Sequence, residues 1–164
     1  MLELPRAAAL EEIPHADWSR WTQDYLEWLR VLLAGPTKST VPHMILGAYG
    51  LNVRFQSILA EMTKTEWQLL RDDLPDHVTK EQREAMEVGL AKGFRKQLFG
   101  ELEKTTARFA RYVEQHNPGQ LPATALFRAV ESLERTVELL ELNFNEAAAL
   151  ERFFLSSLRI WVAS

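Results

Sequence analysis

Apolar residues recur at intervals of three and four along most of the chain, and nowhere do they alternate long enough to predict a strand. Trp18, Trp21, Tyr25, Trp28, Leu29 and Leu32 share one face of a first helix. Pro14 marks its entrance and Gly35-Pro36 its stop, where glycine caps the last turn and proline cannot continue it. Thr40 and Pro42 open a second helix, because proline fits the first turn, where its missing donor costs nothing. Its apolar stripe is Val41, Ile45, Ala48, Phe55, Leu59 and Met62. Gly47 and Gly50 lie inside it at a cost of about 1 kcal/mol each against alanine, which predicts a close approach by another helix. Asn52 interrupts the stripe and either lies at its edge or needs a partner.

Thr63-Lys-Thr-Glu66 reads as a capping box, in which threonine and glutamate satisfy each other's backbone donors. It predicts a short helix with Trp67, Leu70 and Leu74 inward, ending before Pro75. Thr79-Lys-Glu-Gln82 repeats the pattern and starts a long helix from Lys80 to about Gln115. On that helix Leu98, Leu102, Phe109 and Val113 face one side, with Phe94 and Tyr112 at the edge. Gly89, Gly93 and Gly100 are places for a kink. After the turn Asn117-Pro-Gly119, Leu126, Val130, Leu133, Val137, Leu140 and Phe144 alternate by four and three. Ala147, Leu150, Phe154, Leu158 and Trp161 extend this seam, so 123–162 forms one helix or two broken near 143–145. The expectation is an all-α, single-domain bundle of five or six helices over 1–164, mostly antiparallel, with 1–13 as a lead-in.

Composition agrees with a soluble globular domain: 164 residues, 46% hydrophobic, 26% charged, net charge −4, long enough to bury about 70% of its unfolded surface. The absence of cysteine removes disulfides, thiolate metal sites and cysteine nucleophiles. The first residues, with early glutamates and no long apolar run, make a poor signal peptide. No segment reaches the roughly 18 apolar residues of a membrane span. A cytoplasmic location and no membrane partner are expected.

Charge is unevenly placed. Segment 91–111 holds Lys92, Arg95, Lys96, Lys104, Arg108 and Arg111 against Glu101 and Glu103, a net of +4 that leaves the remainder at −8. On a helical wheel Lys96, Lys104, Arg108 and Arg111 lie opposite Leu98, Leu102 and Phe109, with Lys92 and Arg95 flanking. The run from Lys92 to Arg111 spans about 28 Å, long enough to follow several phosphates. Lys104 has Glu101 and Arg111 has Glu114 at helical spacing. Lys92, Arg95, Lys96 and Arg108 have no such acid, so they either meet acids from other helices or form an anion-binding surface. No interleaved aromatics and no groove-reading motif accompany them, so contact with RNA or DNA would be to the backbone.

Catalytic signals are sparse. Arg111 and His116 make an R-x4-H spacing that resembles the signature of the HEPN family of helical ribonucleases. The resemblance covers this motif and the all-α class, and departs from the family at Tyr112, where a polar residue is common. It implies that the arginine and histidine contact or activate an RNA backbone, usually across a dimer interface. His15, His43, His77 and His116 each lie within two residues of a proline and are expected at helix ends, not mid-helix as haem ligands. A metal site there would draw on carboxylates such as Asp17 or Asp76, and no H-x3-H or E-x-x-H pair lies within a helix. Glu131, Glu134, Glu138 and Glu141 repeat along a solvated face beside Arg128 and Arg135.

The sequence therefore predicts a non-enzymatic helical accessory subunit, without cofactor, metal or catalytic residues, docking on a protein partner or on itself. An RNA- or DNA-backbone binder using 92–111 is the alternative, and a HEPN-like ribonuclease the third reading.

Overall fold

A computed structural model describes residues 15–34, 37–116, 128 and 150–157. Among them every regular element is helical: α1 (Ala16–Leu33), α2 (Val41–Asp72), α3 (Lys80–His116) and a helical stretch at 150–157. The predicted seam Leu126–Phe144 lies outside the described residues. Leu150 and Phe154, from its extension, are buried.

The apolar spacing of α1 decides which of its sides faces inward. Trp18, Trp21, Tyr25, Trp28, Leu29 and Leu32 are all buried, as the stripe predicts. Trp18 and Trp21 stack at 5.0 Å and 5°, and Trp21 and Tyr25 at 5.4 Å and 15°. Phe55 of α2 meets both tryptophans edge-on and then Phe99 of α3, at 5.1 Å. Phe154 completes the cluster against Tyr25 and Trp28.

A buried indole needs an acceptor for its N–H. Trp21 Nε1 donates to the Leu51 carbonyl at 2.8 Å and Trp28 Nε1 to that of Met44 at 2.9 Å. Contacts thus step down α2 from Glu61 through Phe55 and Leu51 to Met44 as they step up α1 from His15 to Trp28. Tyr25 meets its need on α3, 2.7 Å from Thr106 Oγ1. Thr106 has one hydroxyl hydrogen and gives it to the Leu102 carbonyl at 2.8 Å, so Tyr25 is the donor to Thr106.

The two capping-box sequences part company here. Thr79 and Gln82 form a real box: Gln82 N donates to Thr79 Oγ1 at 3.2 Å, and Thr79 N to Gln82 Oε1 at 2.9 Å. Thr63 does not start a helix. It is buried mid-α2, and its hydroxyl donates back to the Leu59 carbonyl at 2.8 Å. The apolar positions Phe55, Leu59 and Met62 run through it in phase with no proline or glycine to interrupt them, so the helix continues to Asp72. The expected separate helix with Leu70 inward is therefore corrected: Leu70 is 41% exposed. α3 likewise runs unbroken through all three glycines.

Asn52 is buried rather than marginal, and Gln56 Nε2 donates to its Oδ1 at 3.4 Å. Gly47 and Gly50 answer the question of close approach differently. A Cβ at Gly47 would lie 3.1 Å from Trp28 Cδ1, whereas one at Gly50 would meet nothing within 4 Å, nor would one at Gly89. Trp28 cannot easily move, being held by its bond to Met44 and its packing on Phe154. Gly89→Ala should therefore stabilise by up to about 1 kcal/mol, while Gly47→Ala gains nothing or destabilises. Urea midpoints of the two variants check this, and an equal gain at both would contradict it.

Candidate interaction surfaces

The basic stretch rises along α3, and the structure divides it. Lys92, Lys96, Lys104 and Arg111 are exposed, and Arg108 is half-buried. Arg95 is not a flanking surface group. It lies three and seven residues before Leu98 and Leu102, on the packing side of the helix, half-buried and with Nε buried. Lys104 takes Glu101 at 3.4 Å, a solvent-exposed pair of small energetic weight. Lys92, Lys96, Arg108 and Arg111 have no ion-pair partner among the described residues.

His116 ends α3 as a cap. Its ring stacks on Tyr112 at 3.9 Å, and Nδ1 lies 2.9 Å from the Tyr112 carbonyl, which can only accept, so Nδ1 carries the hydrogen. Arg111, five residues back, projects about 140° away around the helix. Tyr112, the point of departure from the HEPN pattern, is thus the group that holds the histidine.

The other histidines also lie at helix ends: His15 at the N-cap of α1, His43 in the first turn of α2, and His77 between α2 and α3. His15 Nδ1 accepts from Asp17 N at 3.2 Å, which leaves Nε2 to donate to Glu61 of α2 at 2.8 Å. His15, Asp17 and Glu61 bring three ligand-type atoms within 4.8 Å of one another. A cation on Nε2 would move the ring hydrogen to Nδ1 and break the cap. It would also sit at a positive helix end, beside a groove of about 240 Å³ that Arg20 and Arg54 line with Asp17, Ser57, Ile58 and Glu61. The geometry suits His15 as a strut between α1 and α2. Asp17 was legible as a carboxylate near His15; Glu61 was not, since 46 residues separate it from His15.

A further surface lies on the outer side of α2, opposite its core stripe. Leu46 and Val53 are each 68% exposed, and Pro42, Gly50, Ser57 and Ala60 are exposed with them. From Leu46 to Ala60 these positions are spaced four, three, four and three, with no charge among them. That spacing is present in the sequence, where the larger side chains of the buried stripe outweigh its small ones. Tyr49 flanks the face at 45% exposure, its hydroxyl donating to Glu151 Oε1 at 2.8 Å. That bond and the carboxylate's charge raise the Tyr49 pKa.

Farther along, α2 has no buried residue after Thr63, and α3 none before Leu98. The ends 64–72 and 80–93 form an arm without buried residues that leaves Leu69, Leu70, Met86 and Val88 exposed. No helix among the described residues is long and apolar enough to cross a membrane.

Compared with protein-family models, with curated proteins and with solved structures, the chain has no match.

Proposed function

We propose that the chain is a non-enzymatic helical accessory subunit, a mostly antiparallel bundle that docks on a protein partner or on itself. The observation that carries this reading is the uncharged outer face of α2, where Leu46 and Val53 stay 68% exposed while the interior is already filled with aromatic rings. Exposed apolar side chains aligned on one uncharged helix face are the kind of surface that serves for docking. The opposed stepping of contacts along α1 and α2 supports the antiparallel arrangement.

The test is a photo-crosslinking residue placed at Val53 and, as a control, at the exposed Gln23, with irradiation in the native host. The expected result is a discrete adduct from position 53 and none from position 23. No adduct from either position overturns the reading.

A second reading, contact with an RNA or DNA backbone, draws on Lys92, Lys96, Lys104 and Arg111, exposed along a single helix. Under it, log K falls against log salt with a slope of roughly −0.7 to −0.9 per phosphate neutralised. Replacing Lys92, Lys96 and Arg111 with glutamine flattens that slope, and an unchanged slope ends the reading. RNA cleavage lost in a folded His116→Ala variant would instead favour the ribonuclease.

A further inference from the structure

We infer that the outer face of α2 pairs with the same face of a second copy of this chain, the two helices antiparallel about a two-fold axis between Ser57 and Ala60. The inference rests on the docking reading above and names its partner.

Spacing defines the kind of partner. Leu46, Gly50, Val53, Ser57, Ala60, Lys64, Trp67 and Arg71 alternate by four and three along the outer side of α2. That is the seam of a helix pair, in which each residue enters a hole on a facing helix of the same period. Gly50, Ser57 and Ala60 carry little or no side chain, so two backbones can approach closely over the middle of the seam. Gly50 has nothing within 4 Å of where its Cβ would be, so that notch is open to a partner.

Charge selects direction and register. A parallel pair would set Lys64 against Lys64 and Arg71 against Arg71 of the second copy, across the seam itself. An antiparallel pair centred between Val53 and Ser57 would bring Arg54 onto its own copy. Centring one step farther, between Ser57 and Ala60, removes both conflicts. Arg54 then faces Glu61 of the second copy, twice by symmetry, with a stagger of about 3 Å along the axis.

Both groups are available for this. The Arg54 side chain is 41% exposed and that of Glu61 60%, even while they hold Asp24 and His15. The same register seats Trp67 of the second copy over the Gly50 notch and lays Leu70 of the second copy beside Tyr49. It thereby covers large side chains that α2 leaves half-buried or exposed. Lys64 lies opposite Val53 and covers it with its aliphatic stem, keeping its charge at the rim.

The chain has no cysteine, so single-cysteine variants report the register directly. Full-length Ser57→Cys and Ala60→Cys proteins are mixed in equal amounts under mild oxidation, each carrying a different mass tag. The Ser57→Cys/Ala60→Cys disulfide should exceed either homodisulfide by about tenfold, because only directly opposed positions bring Cα atoms within the roughly 7 Å a disulfide requires. Homodisulfides in excess would mean a parallel pair or another antiparallel register, and either overturns the inference.

Charge reversal gives an independent readout by sedimentation equilibrium. Arg54→Glu and Glu61→Arg should each weaken self-association by about tenfold, the equivalent of roughly 1.4 kcal/mol. Mixed together they should recover it, since each then finds an opposite charge. Far-UV circular dichroism confirms folding of both, because each residue also holds a bond within its own chain.

A monomeric mass at all concentrations, with no disulfide formed, overturns the second copy as partner. The docking reading is judged separately. A crosslink from Val53 to a protein of another mass leaves it standing, and the absence of any crosslink removes it.

Discussion

Trp21→Ala should lower the free energy of unfolding by about 3–5 kcal/mol, the range for deleting a fully buried large aromatic side chain. Trp21 is 0% exposed and connects α1 to α2 directly and, through Phe55 and Tyr25, to Phe99 of α3 and to Phe154. It stacks on Trp18 and Tyr25, meets Phe55 edge-on, and ties α1 to α2 through Leu51. Alanine would empty the middle of the stack, and neither neighbouring ring can close the gap without leaving its own partner. Trp21→Phe should cost less, since it keeps a ring in the stack and loses only the N–H and part of the volume. Urea denaturation followed by circular dichroism gives both values. A Trp21→Ala loss under about 1 kcal/mol would mean that the interior relaxes around the missing ring, contrary to the close packing that aromatic cores show.

The second large effect is an asymmetry between two residues that share one hydrogen bond. Thr106→Val should cost more than Tyr25→Phe. Valine at 106 leaves the Tyr25 hydroxyl buried without its acceptor, a penalty of about 1–3 kcal/mol. Phenylalanine at 25 removes the donor as well, while Thr106 keeps its bond to the Leu102 carbonyl, so the loss is about 1 kcal/mol.

The same pair makes stability sensitive to alkali. Burial is the largest influence on the Tyr25 hydroxyl and raises its pKa, more than its hydrogen bond with Thr106 offsets. In the unfolded chain the phenol ionises near pH 10, whereas in the fold it keeps its proton to higher pH. Below pH 10 both states hold the proton and this group's contribution is constant. Above it the unfolded state binds fewer protons, and stability falls by about 1.4 kcal/mol per pH unit. Tyr25→Phe removes that part of the decline, so the gap between it and the natural sequence should narrow and then reverse as pH rises past 10. A constant gap would contradict the assignment. The other tyrosines are common to both proteins and cancel in the comparison.

The core was legible wherever periodicity and an unambiguous stop coincided. The six buried residues of α1 read directly from the spacing of Trp18 to Leu32, because a stripe of large rings on one side has a single inward solution. α3 was legible in both start and length, because the Thr79/Gln82 box lies just after Pro75, where the chain had already left a helix. Thr63 shows why the same four-residue pattern misled elsewhere. A capping box is a property of a helix end, and residue types alone do not say whether the preceding turn has ended. The surfaces were less legible. Arg95 counts as a cation in any charge map, yet its phase relative to Leu98 and Leu102 puts it on the packing side. Glu61 became a neighbour of His15 only through the docking of α1 on α2. The face running from Leu46 to Ala60 was spelled out in its spacing, but a sequence shows what is apolar, and only the fold shows which apolar side remains uncovered.

The arm formed by the ends of α2 and α3 carries one more consequence. A short helix standing alone in water must first nucleate, and that step is what makes it marginal. The segments 64–72 and 80–93 avoid this step, since each continues a helix whose other half is anchored in the core. Their disorder can only enter as fraying from the distal end. On α3 that end is where Thr79 and Gln82 exchange two hydrogen bonds of 2.9 and 3.2 Å. Amide hydrogens of the arm should therefore exchange in a graded order, fastest near the tip and slower toward the core, with that one knot setting how readily the α3 side starts to unzip.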